Sequence, residues 1–88
     1  MFKTTERQRL ATIDRLIASM ENERRKQGLS LNEVASRAGL SHTMVMRVEK
    51  RERMPTIDTL LRIAAALDAD LGALIQRASK AAKDTGKA

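Results

Sequence analysis

Apolar residues recur at three- and four-residue spacing from about residue 5 to residue 27, which is the pattern of an amphipathic helix. The apolar positions are Leu10, Ile13, Leu16, Ile17 and Met20. Three basic residues, 24 to 26, occupy the last turn, where positive charge favours a helix C-terminus. Gly28 ends the pattern. The spacing therefore predicts one long first helix.

Two short helices joined by a tight turn are predicted next. Ser30 can cap the first of them near Leu31, and Glu33 completes a capping box. Gly39 ends this helix, because glycine adopts the positive φ of a turn at little cost. Ser41 can then cap the following helix.

The helix after Ser41 has two faces of different chemistry. At about 100° per residue, Val45 and Val48 lie on one side, while Met44 points sideways. The opposite side carries His42, Thr43, Met46, Arg47 and Lys50. One face is suited to a core and the other to a partner.

Two further helices complete the predicted fold. Thr56 can cap a fourth helix and Asp70 a fifth. The apolar stripe of the fourth helix is Ile57, Leu60, Leu61, Ala64 and Leu67, and the fifth begins with Leu71, Leu74, Ile75 and Ala78. The chain is therefore predicted to be all-α: a compact five-helix domain over residues 5–78, with a frayed N-terminus at 1–4 and a basic C-terminal tail at 79–88.

The composition narrows the class of protein. The 88 residues suffice for one compact domain. Phe2 is the single aromatic residue although 42% of the chain is hydrophobic, so the core must be aliphatic. The net charge of +6 favours an anionic partner, and nucleic acid is the default partner of a small basic domain.

Several function classes are excluded by the residues that the chain lacks. With no cysteine and one histidine, it offers no disulfide framework and no residue set for a metal site. No catalytic constellation can be assembled, so the chain is not expected to be an enzyme or to carry a cofactor. No signal peptide or membrane-spanning run is present, and no small-molecule ligand is evident. A cytoplasmic protein is expected.

The motif over residues 31–50 resembles the helix-turn-helix of lambda repressor and Cro, the XRE-like transcriptional regulators. The resemblance lies in Ala35, Gly39, Val45 and Val48. It continues in Arg24, Glu49, the Pro-Thr-Ile run at 55–57 and the apolar run at 60–67, and it covers roughly residues 16–75. It implies a lambda-repressor-like DNA-binding fold and a bacterial or phage protein associated with the nucleoid. It also implies a partly buried ion pair between Arg24 and Glu49.

The chain departs from the family pattern at three places. The first helix is about two to three turns longer at its N-terminus. Leu31 stands where family members often have a glutamine, and it cannot make the same hydrogen bond. Arg51 stands where the family usually has the glycine that ends the recognition helix, so a longer helix or a non-glycine turn is expected.

The resemblance implies that the helix after Ser41 enters the major groove of double-stranded DNA. Base contacts are expected from His42, Thr43, Met46 and Arg47. Phosphate contacts are expected from Ser30, Ser41, Lys50, Arg51 and Arg53. One such helix reads few base pairs, so binding as a homodimer to an inverted repeat is expected, with repression as the outcome.

The dimer interface is expected on the first helix, the last helix or both. The candidates are Leu10, Ile13, Ile17, Leu71, Leu74, Ile75 and Ala78. Leu10 and Ile13 have a second interpretation, in which they pack on the last helix of the same chain. Two alternative functions also remain: an antitoxin-type module that binds a protein partner such as a toxin, and an interaction domain that no longer binds DNA.

Overall fold

The computed structural model describes residues 5–85, with side chains through residue 83. In that range the chain forms five α-helices and no strand. The helices are α1 (Glu6–Lys26), α2 (Leu31–Ala38), α3 (His42–Glu49), α4 (Ile57–Ala66) and α5 (Leu71–Thr85). The predicted all-α, five-helix fold is confirmed. The predicted frayed segment 1–4 and the last three residues of the predicted tail lie outside the described residues.

Local side-chain caps explain where the helices begin. Ser30 accepts a hydrogen bond from the backbone N–H of Glu33, and the Glu33 carboxylate accepts one from the backbone N–H of Ser30. Ser41 and Thr56 cap α3 and α4 without a reciprocal bond: their hydroxyl oxygens accept from the backbone N–H groups of Met44 and Thr59, each at 3.1 Å. Asp70 accepts from the backbone N–H of Gly72 at 2.9 Å. The four caps predicted from the sequence are confirmed, because capping depends only on residues within one turn.

The core is aliphatic and is shared by all five helices. α1 packs most extensively against α5, and α2 packs against both α3 and α4. Val34, Val45 and Leu67 are the largest fully buried side chains. In residues 5–85, no helix is both long and apolar enough to traverse a lipid bilayer.

The buried face of α4 differs from the predicted stripe. Ile63, Ala64 and Leu67 are buried, whereas Ile57 and Leu61 are 63% and 53% exposed. At 100° per residue, Ile57 and Leu61 lie roughly 100° or more from the centre of the buried arc. The predicted stripe contains more apolar positions than the neighbouring helices cover, so Ile57 and Leu61 remain exposed, and it omits Ile63, which is buried.

Helix α5 continues beyond residue 78, where the sequence interpretation placed the end of the domain. It extends to Thr85, and Ala82 is only 3% exposed. Ala78 and Ala82 are four residues apart and therefore share one helix face. The first part of the segment expected to be a basic tail is thus helical and contributes to the packed structure.

A mostly buried ion pair joins α1 to α3. The guanidinium of Arg24 donates from Nε and Nη2 to the two carboxylate oxygens of Glu49, at 2.7 and 3.0 Å. Its Nη1 donates to the backbone carbonyl of Leu29 at 2.8 Å, just before α2. The side chains of Arg24 and Glu49 are 11% and 15% exposed. The hydrogen bond to Glu49 raises the pKa of Arg24 further above its ordinary value. The ion pair implied by the family resemblance is present.

Replacing Arg24 with methionine is expected to lower the free energy of unfolding by about 3 kcal/mol, because the Glu49 carboxylate is then buried without its partner. Urea denaturation followed by circular dichroism measures this. The double variant R24M/E49L should recover most of the loss, since no charge is left buried.

Arg25→Met is the matched control. Arg25 pairs with Glu21 at 3.0 Å, but its side chain is 66% exposed. Its replacement should cost less than about 1 kcal/mol. Equal losses for R24M and R25M would contradict a structural role for the Arg24–Glu49 pair.

Candidate nucleic-acid interface

A left-handed residue forms the turn between α2 and α3. Gly39 has φ 69° and ends α2. The backbone N–H of Leu40 donates to the carbonyl of Ala35 at 2.9 Å, which closes the turn. Leu40 is half-buried and packs against the core. Glycine is required here because an L side chain in this conformation is strained.

Arg62 of α4 also holds this turn, a role that sequence reasoning missed. Its Nη1 donates to the carbonyl of Ala38 at 3.2 Å, and its Nε pairs with Asp58 at 2.9 Å. A cation at the C-terminus of α2 is also favoured by the helix dipole. The Asp58–Arg62 spacing is a signal for an ion pair within one helix. No sequence signal places Arg62 against a carbonyl 24 residues away.

The outward side of α3 presents a polar and basic surface. His42, Thr43 and Arg47 are exposed, and Met46 is half-buried. On the opposite side of the same helix, Val45 and Val48 are 1% and 2% exposed. We call His42, Thr43, Met46 and Arg47 the recognition face. The structure thus brings the four predicted base-contacting residues together on one side of one helix.

The recognition face has an apolar edge at Met46. Met46 and Leu31 line the same surface cavity of about 200 Å³, between α1, the start of α2 and α3. Lys50 lines it too. Leucine in place of the family's usual glutamine therefore gives Met46 an apolar neighbour at the edge of the interface.

The N-terminus of α2 carries a carboxylate as well as backbone donors. The hydrogen bond from the backbone N–H of Ser30 lowers the pKa of Glu33, so this carboxylate stays charged at neutral pH. The capping box formed by Ser30 and Glu33 uses the backbone N–H groups of both residues. The first-turn donors that it does not use are those of Leu31 and Asn32.

The C-terminus of α3 ends in a turn formed without glycine. The backbone N–H of Glu52 donates to the carbonyl of Arg47 at 2.9 Å, and that of Arg51 to the carbonyl of Val48 at 3.1 Å. These two bonds define a Schellman motif, in which the left-handed residue is usually glycine. Arg51 occupies that position with φ 62°. The non-glycine turn expected from the sequence is present, at a backbone cost of roughly 1 to 2 kcal/mol.

The three basic residues after α3 differ in whether they pair with another part of the chain. Lys50 and Arg53 are exposed. Arg51 instead pairs through Nε with the carboxylate of Asp14 on α1, at 2.9 Å. Sequence reasoning gave Arg51 to the phosphate contacts and did not consider Asp14, because the two residues are 37 positions apart.

The candidate dimer residues are divided between the core and the surface. Ile17, Leu71, Leu74 and Ala78 are 7% exposed or less and contact the core of their own chain. Leu10 is 45% exposed, whereas Ile13 and Ile75 are half-buried. Leu10 and Ile13 line a surface groove of about 150 Å³ together with Met54. The exposed apolar side chains of Met54, Ile57 and Leu61 were not among the candidates.

Among the side chains that the structure describes, no group of three His, Cys, Asp or Glu residues is placed to hold a metal ion. The site consists of α3, which has one buried and one polar face, a glycine turn before this helix and exposed cations after it. These features define a helix-turn-helix DNA-binding domain.

Comparison with known proteins gives the family. A model of helix-turn-helix domains, HTH_3, matches residues 20–74, which is more than half of the chain. The chain belongs to the HTH_3 family of XRE-type helix-turn-helix domains. It contains a helix-turn-helix DNA-binding domain, as expected from the sequence.

The fold is also similar to a solved structure, the crystal structure of an HTH_3 family transcriptional regulator from Vibrio cholerae. The TM-score is 0.68 and the sequence identity is 32%. The match covers 77% of this chain and 38% of the Vibrio cholerae chain, so this protein corresponds to less than half of that one. Among curated proteins, none matches this chain.

Substituting Gly39 with alanine tests the contribution of the turn. An alanine Cβ at Gly39 would lie 3.0 Å from Nη1 of Arg62, in addition to the cost of the left-handed backbone. We expect Gly39→Ala to lower the free energy of unfolding by about 1 to 2 kcal/mol in urea titrations.

Gly28→Ala is the control, because Gly28 has φ 72° and nothing lies within 4 Å of the added Cβ. It carries the backbone cost alone. If Gly39→Ala lowers the free energy of unfolding more than Gly28→Ala does, the difference should disappear when both are made in a chain that carries Arg62→Ala. An excess that persists without Arg62 would show that this contact is not its cause.

Proposed function

We propose that this protein is a sequence-specific transcriptional regulator, acting as a repressor, that inserts α3 into the major groove of its operator. The observation that carries this proposal is the recognition face. Its polar and basic side chains lie outward on a helix whose other side is held in the core by Val45 and Val48. A helix with one side fixed in this way presents the other in a constant orientation. The family membership and the regulator from Vibrio cholerae support the same function.

Each residue of the recognition face has a chemistry that suits a base edge. Arg47 can donate two parallel hydrogen bonds to guanine O6 and N7. His42 and Thr43, in the first turn of α3, lie where helix-turn-helix proteins contact bases. Met46, with Leu31 beside it, offers an apolar contact for a thymine methyl group. We propose these four residues as the base-contacting set.

Phosphate contacts are proposed at both ends of the motif. Lys50 and Arg53 are exposed cations next to the C-terminus of α3. Ser30 and Ser41 mark the N-termini of α2 and α3, where backbone N–H groups and the helix dipole favour an anion. These contacts position the protein on DNA and carry no sequence information.

We further propose that the protein binds an inverted repeat as a homodimer in the bacterial or phage cytoplasm. A single recognition helix contacts only a few base pairs, and two helices about 34 Å apart read two half-sites. A weak interface between subunits is sufficient when both are held on one duplex, because binding of the first raises the effective concentration of the second.

Replacing Arg47 with alanine is expected to weaken binding to the operator by about 1 to 3 kcal/mol and to relax the preference at one base position. The physical reason is the loss of a two-bond contact with guanine. Fluorescence anisotropy with a set of single-base operator variants measures both effects. Unchanged affinity and preference would show that α3 is not docked as proposed.

Two other substitutions serve as comparisons. Lys50→Ala should weaken binding to all sequences equally and reduce the salt dependence, because it removes a phosphate contact. Arg77→Ala removes an exposed arginine on α5, outside the motif. It should leave the base preference unchanged, so a change of preference in R77A would invalidate the interpretation of R47A.

The operator itself is found by selecting bound duplexes from a random DNA pool at near-physiological salt. We expect enrichment of an inverted repeat with one fixed spacing, which follows from the twofold symmetry of a dimer. Enrichment of a single half-site would refute the homodimer. If nothing is enriched, sequence-specific binding is refuted, and co-purification would then test binding to a protein partner such as a toxin.

A further inference from the structure

Three hydrogen bonds hold the guanidinium of Arg51 within the protein. Nε donates to the carboxylate of Asp14 at 2.9 Å, and Nη2 donates to the backbone carbonyl of Asp14 at 3.2 Å. Nη1 donates to the backbone carbonyl of Glu49. Every nitrogen of the guanidinium therefore has an acceptor from the same chain. The fork of this side chain bridges the third turn of α1 and the last residue of α3.

The backbone directs Arg51 toward α1. The left-handed conformation at φ 62° reverses the chain after α3. The side chain of Arg51 is 35% exposed, which is less than the 48% of Arg62 and the 66% of Arg25 in their ion pairs within one helix. These three bonds use three of the five N–H groups of the guanidinium, so one N–H on Nη1 and one on Nη2 remain for another acceptor.

Asp14, which accepts two of the three hydrogen bonds, belongs to the part of α1 that precedes the residues matched by the family model. The match begins at residue 20, whereas Asp14 lies six residues earlier. The longer α1 therefore supplies the carboxylate and carbonyl that hold Arg51. Leu10, Ile13 and Met54 line the same groove as Asp14 and Arg51.

We propose that Asp14 holds the side chain of Arg51 against α1 and thereby keeps the charge of Arg51 away from the phosphate backbone of bound DNA. This inference rests on the proposed DNA-binding function. The Arg51–Asp14 pair is exposed, and an exposed ion pair contributes little to the free energy of unfolding. The expected effect of the pair is therefore on which basic side chains contact the DNA. Lys50 and Arg53, on either side of Arg51, remain available for phosphates.

The dependence of affinity on salt tests the proposal, because each phosphate contact contributes about 0.9 to the slope of log K against log salt concentration. We would compare the full chain with R51G, D14A and the double variant D14A/R51G on a labelled duplex of mixed sequence. Glycine is chosen at position 51 because it suits the left-handed backbone there.

The expected result is specific to the pair. R51G should leave the slope unchanged, and D14A should steepen it by about 0.9, because the released guanidinium gains a phosphate. In the R51G background, D14A should have no effect, which separates release of Arg51 from the general loss of a negative charge. A slope flattened by about 0.9 in R51G would show that Arg51 already contacts phosphate. Equal steepening by D14A in both backgrounds would also overturn the proposal.

A measurement without DNA keeps this inference distinct from the proposed function. Hydrogen exchange of the Arg51 Nε–H, followed by ¹⁵N nuclear magnetic resonance, should be slow in the original chain and fast in D14A. Fast exchange in both would show that Asp14 does not hold Arg51, and would refute the proposal. Slow exchange with no salt-dependent DNA binding by the original chain would instead contradict the proposed function.

Discussion

The burial of one side of α3 is the constraint on which the interface depends. A helix of eight residues is too short to be stable in water by itself, so α3 exists because Val45 and Val48 pack into the core. With 3.6 residues per turn, that packing leaves the recognition face on the outside. The same two valines therefore provide the stability of the helix and the orientation of the side chains that face a partner.

The ends of α3 are set by contacts from two other helices, α1 and α4. The buried Arg24–Glu49 pair anchors its C-terminal residue to α1, and Arg62 of α4 holds the turn that precedes it. Both turns that flank α3 use left-handed residues, Gly39 before it and Arg51 after it. Glycine adopts this conformation at no steric cost, whereas arginine does so with its side chain held by Asp14. The helix is thus fixed at both ends by side chains from elsewhere in the fold.

Prediction from the sequence succeeded for features that depend on residues close together in the chain. It failed for features that depend on how much of a helix the other helices cover. Ser30, Ser41 and Thr56 were correctly identified as caps because a cap bonds within one turn. The exposure of Ile57 and Leu61 was not predicted, because an apolar stripe does not reveal how much of it the neighbouring helices cover. The end of the packed domain was placed too early, at residue 78, because Ala82 lies in a segment of small and basic residues with no apolar stripe.

The sequence by itself determined the number of helices, the N-terminal caps of α2 to α5, the two faces of α3 and the family to which the resemblance pointed. These properties follow from helical periodicity and from hydrogen bonds between residues three or four apart. Only the tertiary structure decided the roles of Arg51 and Arg62 and the exposure of Ile57. Their surroundings come from residues 24 to 37 positions away or from the limited area of a neighbouring helix. Such contacts depend on how the helices pack, and packing distance is not encoded in the spacing of residues along one helix.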